Sequence, residues 1–131
     1  PESIENPDLN YRLNLHTTQL VAGAAQRHRV PRIVFASSAA VYGNSTAFPL
    51  AESQYTFPIS PYGAAKLASE SLLLGHAAAF GSRVRCQRFF NVYGPRQDPS
   101  SPYSGVISLF LKNFRAGNPV TVFGDGLNTR D

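Results

Sequence analysis

Arg32-Ile33-Val34-Phe35-Ala36 is a short, almost unbroken apolar run. That is the pattern of a strand buried on both faces in a parallel sheet. Upstream, a helix is expected from about Pro7 to Arg29. Asn6 can serve as its N-cap, Pro7 fits the first helical position, and Asp8 sits beside the positive helix end. Leu9, Leu13, Thr17, Leu20 and Ala24 recur at three-to-four spacing, which marks an amphipathic face, and Val30-Pro31 ends the element. A helix that feeds a buried strand points to an α/β fold.

Downstream, residues 37–61 are small, polar and proline-containing, a long excursion of the kind that commonly carries function. A second helix is expected from about Pro61 to Ala79, carrying Ala64, Ala65, Leu67, Ala68, Leu72 and Leu73, with Gly81 placed to stop it. The stretch from Arg83 to Phe90 reads as a second strand, less clearly central because its residues alternate. This helix, strand, helix, strand order predicts a doubly wound parallel sheet. After Tyr93-Gly94-Pro95 the texture changes to a polar loop, a helix from about Gly105 to Ala116, and a short strand Val120-Thr121-Val122-Phe123.

The bulk numbers narrow the classes. At 131 residues, 43% hydrophobic and 15% charged, the chain has enough apolar content to fold around a core. It opens at Pro1 without a methionine and stops at Arg130-Asp131, which reads as an excerpt of a larger protein. The net charge of +4 is spread over separated arginines rather than a run, so it argues for an anionic small molecule as readily as for nucleic acid. The single Cys86 excludes an internal disulfide. No apolar run approaches the ~20 residues a membrane span needs. The expected setting is the cytoplasm, with no membrane or nucleic-acid partner.

Tyr62-Gly63-Ala64-Ala65-Lys66 places a phenol and an ammonium four residues apart, on one face of a helix. A free phenol titrates near 10, and lowering it to about 7 requires roughly 4 kcal/mol of preference for the phenolate. One cation about 4 Å away at an effective dielectric of ~20 supplies about that much. Such a pair also arises by chance. Its weight grows with Ser37-Ser38-Ala39-Ala40-Val41-Tyr42-Gly43, which directly follows the first strand. Ligands in such sheets bind beyond the carboxyl ends of strands. A serine hydroxyl there can relay a proton between a ligand hydroxyl and the phenol, or these small residues simply form a turn.

Three segments carry a specific resemblance: S-S-x-x-V-Y-G at 37–43, S-P-Y-G-x-x-K from Ser60 to Lys66, and R-F-F-N-V-Y-G-P-R from Arg88 to Arg96. Together they resemble extended short-chain dehydrogenases/reductases, the NAD-dependent epimerase/dehydratase type, and most of all 4-epimerases of UDP-glucose and UDP-N-acetylglucosamine. The resemblance covers nearly the whole chain. It implies a Rossmann-type NAD-binding domain over residues 1–93, without the Gly-rich loop, and the beginning of a nucleotide-sugar-binding lobe over 94–131. A chain lacking that loop is expected to bind NAD poorly alone.

The resemblance further implies Ser38 as the catalytic serine, Tyr62 as the base, and Lys66 as the residue that holds the nicotinamide ribose and depresses the tyrosine. Asn14 falls in an Asn-x-x-Gly-Thr helix motif near the cofactor, with Thr17 standing where glycine is usual. Phe90 would lie by the nicotinamide, Asn91 would bind the nucleotide sugar, Thr121, Val122 and Phe123 would run beside the uracil, and Arg130 would clamp the diphosphate. From the residues alone, Phe90 and Phe123 can equally be core aromatics, Asn91 a turn residue and Arg130 an exposed charge. Dehydratases of the family place acidic residues just after the serine or threonine, and here Ala39 and Ala40 stand there. That leaves oxidation and re-reduction at C4, an epimerisation. The alternatives are another nucleotide-sugar epimerase or dehydratase, a catalytically silent NAD-binding regulator, and, on charge alone, a nucleic-acid-binding module. The two long helices are candidates for pairing in a homodimer.

Overall fold

The structure, a computed structural model, describes residues 2–101 and 103–127. The chain divides into two compact units, Pro1–Phe90 and Asn91–Asp131. In the first, α1 (Glu2–Glu5) and α2 (Pro7–Tyr11) lead through a π-helical turn, Arg12–His16, into α3 (Thr17–Arg27). Then come β1 (Arg32–Ser38), a 3-10 turn at Ala39–Tyr42, the long α4 (Pro61–Phe80) and β2 (Arg83–Phe89). In the second unit the regular element among the described residues is α5 (Val106–Arg115).

The helix boundaries follow local chemistry. Asn6 caps α2 by accepting from the Leu9 N–H at 3.0 Å, and Pro7 occupies the first turn. Ser60 caps α4 by accepting from the Gly63 N–H at 3.1 Å, and Gly81, at φ 76°, ends it in the left-handed conformation.

β1 and β2 pair in parallel, Ile33 opposite Val84, Phe35 opposite Cys86 and Ser37 opposite Arg88. α4 is the crossover between them. The core is Ala22 of α3, Leu73 of α4 and Val84 of β2, with Ile33, Phe35, Leu72, Ala77 and Cys86 packed around it. α4 is therefore covered by the sheet on one side and by α3 on another.

Three expectations change. First, β1 is not buried on both faces: Val34 is 67% exposed, because among the described residues a helical layer covers only the Ile33 and Phe35 side. Secondly, the inward face of the first long helix is not the leucine stripe. Leu13 and Leu20 are exposed, whereas Asn10, Thr18 and Ala22 are buried and Asn14 is half-buried. These four are spaced by four residues, and in an ideal helix three such steps drift about 120° around the axis. The π-helical turn takes in an extra residue and returns most of that drift, so all four face α4. Thr17 donates to the Arg12 carbonyl five residues back through both its backbone N–H and its hydroxyl, the latter at 3.1 Å. Thirdly, Val120–Phe123 forms no strand among the described residues. The sheet among the described residues holds β1 and β2 alone, and an extended segment that joins no ladder is not a strand.

No helix among the described residues is long and apolar enough to cross a membrane.

Candidate active site

Ser38 is the last residue of β1, at its carboxyl end, with extended backbone angles. Its Oγ accepts from the Ala40 N–H at 3.2 Å and thereby caps the 3-10 turn. Val41 and Tyr42 of that turn are buried, which anchors it beneath the loop. Gly43 leaves the turn at φ 62°, where a Cβ would stand 2.1 Å from the Phe57 carbonyl oxygen. No other residue type fits that crossing.

The start of α4 lies directly against this turn. A Cβ on Gly63 would stand 2.6 Å from the Ala40 carbonyl oxygen. Tyr62 therefore enters the helix beside the serine turn, 37% exposed. From the other flank, Asn10 Nδ2 donates to the Pro61 carbonyl at 3.0 Å. Asn14 Nδ2 in turn donates to Asn10, at 3.0 Å to its carbonyl and 3.1 Å to Oδ1. Asn14 thus braces the residue that holds the first turn of α4.

One turn beyond Tyr62, Lys66 Nζ donates to the Ala36 carbonyl at 3.1 Å and lies 5.1 Å from the centre of the Phe35 ring and 5.6 Å from that of Tyr62. Burial pushes this ammonium below the usual lysine range. Its two remaining N–H groups can serve a ligand hydroxyl. Ser38, Tyr62 and Lys66 are thus gathered at the carboxyl end of β1, an arrangement able to hold and pass a proton and to donate to a polar ligand.

Beneath them lies a polar network that the sequence reading did not anticipate. Glu70, 4% exposed, accepts from the Ser37 hydroxyl and from Arg88, whose Nη2 and Nε approach it at 2.8 Å and 3.0 Å. Arg88 Nη1 also donates to Tyr42 Oη at 2.9 Å and to the Glu52 carbonyl at 3.1 Å. Burial alone would raise the Glu70 carboxyl, but the hydrogen bonds from Arg88 and Ser37 and the charge of Arg88 outweigh it and hold the carboxyl below its usual range. The hydrogen bond to Glu70 raises the Arg88 guanidinium further, against the effect of its own burial. The sequence did hold one signal: Glu70 is the one acidic residue of a mostly apolar helix, and it follows Tyr62 and Lys66 at the same spacing of four.

The remaining candidates are more dispersed. Phe90 follows β2 and is 39% exposed. Asn91, Thr121, Val122 and Phe123 belong to the second unit and are exposed, Phe123 at 82%. Arg130 lies outside the described residues.

Comparison with known proteins is consistent across sequence and structure. A curated relative, the UDP-glucose 4-epimerase of Mycolicibacterium smegmatis, is 36% identical over 130 residues, 98% of this chain and 41% of its own length. The structure of a UDP-N-acetylglucosamine 4-epimerase from Methanobrevibacter ruminantium M1, in complex with UDP-N-acetylmuramic acid, superposes with a TM-score of 0.90 at 35% identity, over 96% of this chain and 41% of that one. A dTDP-glucose 4,6-dehydratase from Streptomyces venezuelae, solved with NAD bound, gives 0.78 at 32% identity, over 97% and 38%. The chain therefore spans well under half the length of the relatives it matches. The two parallel strands with their crossover helix are part of the Rossmann-type fold of these neighbours. The family profile described as the NAD dependent epimerase/dehydratase family matches residues 1–131. With its whole length matched and its serine, tyrosine and lysine gathered at one strand end, the chain belongs to the NAD dependent epimerase/dehydratase family.

Proposed function

We propose that the complete protein epimerises C4 of a UDP-hexose, of the UDP-glucose/UDP-galactose type, with NAD as its cofactor. The observation that carries this reading is the convergence of Ser38, Tyr62 and Lys66 beside a turn in which Ala39 and Ala40 offer no acid or base. NAD, when bound, supplies the acceptor and later the donor of the C4 hydride. Lys66 fits such a cofactor, since its ammonium is partly desolvated, spends one hydrogen bond on Ala36 and presents two more donors to a ribose hydroxyl. Asn14 and Phe90 would flank the cofactor.

Tyr62 takes the proton of the sugar C4 hydroxyl, directly or through Ser38, and returns it at the end of the cycle. Ser38 suits the relay because its oxygen already accepts from Ala40, which leaves its own O–H free to turn toward a sugar or toward Tyr62. The second unit would hold the nucleotide, with Asn91 on the sugar, Thr121, Val122 and Phe123 beside the uracil, and Arg130 on the diphosphate. The proposed cofactor domain spans residues 1–93 and the substrate lobe begins at 94, three residues beyond the division of the compact units between Phe90 and Asn91.

A homodimer is the proposed assembly. Leu13, Leu20 and Val21 on the first long helix and Leu74 of α4 are each more than half exposed, apolar side chains that a second copy could cover. A cytoplasmic setting is in keeping with one free cysteine.

Relatives include both epimerases and dehydratases, so the test must separate them. The complete protein with catalytic NAD is incubated with UDP-galactose in one sample, dTDP-glucose in a second and UDP-N-acetylglucosamine in a third, followed by proton NMR. Appearance of UDP-glucose in the first and no 4-keto-6-deoxy sugar in the second is expected. The opposite pattern makes it a dehydratase. Conversion of UDP-N-acetylglucosamine instead of UDP-galactose moves the substrate within the epimerases. No conversion in any sample leaves the silent cofactor sensor.

A further inference from the structure

We propose that Glu70, clamped by Arg88 and Ser37, is a positioning residue that fixes Ser38 and Lys66 against one another; this rests on the proposed epimerase reading for its kinetic consequences. Three consecutive residues of β1 carry the argument. The Ala36 carbonyl receives Lys66, the Ser37 hydroxyl is held by Glu70, and Ser38 is the proton-relay residue. Lys66 and Glu70 are one turn apart on α4, so the helix is pinned to the strand end at two successive positions.

Arg88 stands opposite Ser37 in the strand register and extends the clamp to Tyr42 and Glu52, so the loop after Ser38 is tied to the same carboxylate. Glu70 therefore joins both strand ends, the helix that carries Tyr62 and Lys66, and the loop. A buried ion pair of this kind adds little net stability over a well-packed apolar pair, and its attested use is to select one arrangement among several. Here that arrangement is the spacing between the two strand-end contacts.

Ser37→Ala is the decisive variant, because it removes one hydroxyl and leaves every charge in place. Around Lys66, α4 presents Tyr62 and Glu70, β1 presents the Phe35 ring and the Ala36 carbonyl, and β2 presents Cys86 and Arg88 about Glu70. None of these changes charge in Ser37→Ala, so a shift in Lys66 titration reports its position. The complete holoprotein is compared with Ser37→Ala and Glu70→Gln in steady-state kinetics, NAD content and thermal unfolding. The titration of Lys66 is followed by NMR of ¹³Cε-labelled lysine, assigned with Lys66→Arg.

In Ser37→Ala, kcat is expected to fall about tenfold with KM within a factor of about three and NAD content unchanged, as for an interaction felt only in the transition state. Its Lys66 titration is expected to move upward, toward the ordinary lysine range, as the ammonium loses its desolvated seat. Glu70→Gln should lose at least as much kcat. A folded Ser37→Ala with unaltered kcat and an unmoved Lys66 titration overturns the proposal. So does a fall in kcat with Lys66 unmoved. If the wild-type protein turns over no nucleotide sugar, the epimerase reading fails, and the Lys66 titration still decides whether the clamp positions that residue.

Discussion

Gly63 and Ala40 meet backbone to backbone: a Cβ on Gly63 would stand 2.6 Å from the Ala40 carbonyl oxygen and 3.1 Å from the Pro58 Cβ. The glycine within the Tyr-x-x-x-Lys segment is thus a condition for bringing Tyr62 beside the turn capped by Ser38.

Gly63→Ala should therefore be costly although alanine is the better helix former. The helix preference is worth about 1 kcal/mol in favour of alanine, and the forced shift of backbone against backbone costs about 1–3 kcal/mol the other way. A net loss of stability is expected together with a fall in kcat, because the shift separates Ser38 from Tyr62. Thermal unfolding and steady-state kinetics of the complete protein check this; an unchanged kcat would mean that the contact does not set the site.

Lys66 gives its ammonium to the Ala36 carbonyl and lies over both the Phe35 and Tyr62 rings. Lys66→Met keeps the apolar stem and removes the charge. A drop in kcat of about 10²-fold or more is expected, in the range found for groups that support proton transfer. Weaker NAD retention, read from cofactor content after gel filtration, should accompany it. Normal NAD content and normal kcat together would remove Lys66 from the site.

The depressed Glu70 carboxyl makes a prediction about pH. In the folded protein it titrates below its unfolded value of about 4.3, so the unfolded chain binds more protons in mild acid and stability rises with pH there. The contribution of Glu70 is present in full above that value and is lost as pH falls through the folded-state value. Glu70→Ala, which leaves Arg88 unpaired, should cost about 3 kcal/mol near neutrality. The penalty should shrink progressively below about pH 4. Urea unfolding of both proteins across this range measures it, and a pH-independent penalty would contradict the assignment.

How much of this could be read from residues alone depends on what each signal encodes. The Ile33–Ala36 run and the helix from about Pro61 to Ala79 were legible because length, apolar content, the initial Pro61 and the terminal Gly81 all agree. The inward face of the first long helix was not. Hydrophobicity points to Leu13 and Leu20, whereas the face that meets α4 is built of Asn10, Asn14, Thr18 and Ala22, aligned by a π-helical turn that no periodicity announces. Val34 and the Val120–Phe123 segment failed for a shared reason, since burial on a second face and strand pairing both depend on neighbours that an apolar run does not specify. Within the site, Ser38, Tyr62 and Lys66 stand in short local motifs. Glu70 and its partners Ser37 and Arg88 lie 33 and 18 residues apart in sequence, so their meeting emerged only with the fold.

If Tyr62 is the base of a C4 epimerisation, Tyr62→Phe in the complete protein should remove the turnover of UDP-galactose and spare cofactor binding. Proton NMR follows the formation of UDP-glucose, with NAD content measured on the same sample. The variant is expected to retain its cofactor and to lose at least about 10²-fold in kcat, the scale of general acid–base catalysis. A Tyr62→Phe protein that forms UDP-glucose at the wild-type rate would contradict that role of Tyr62.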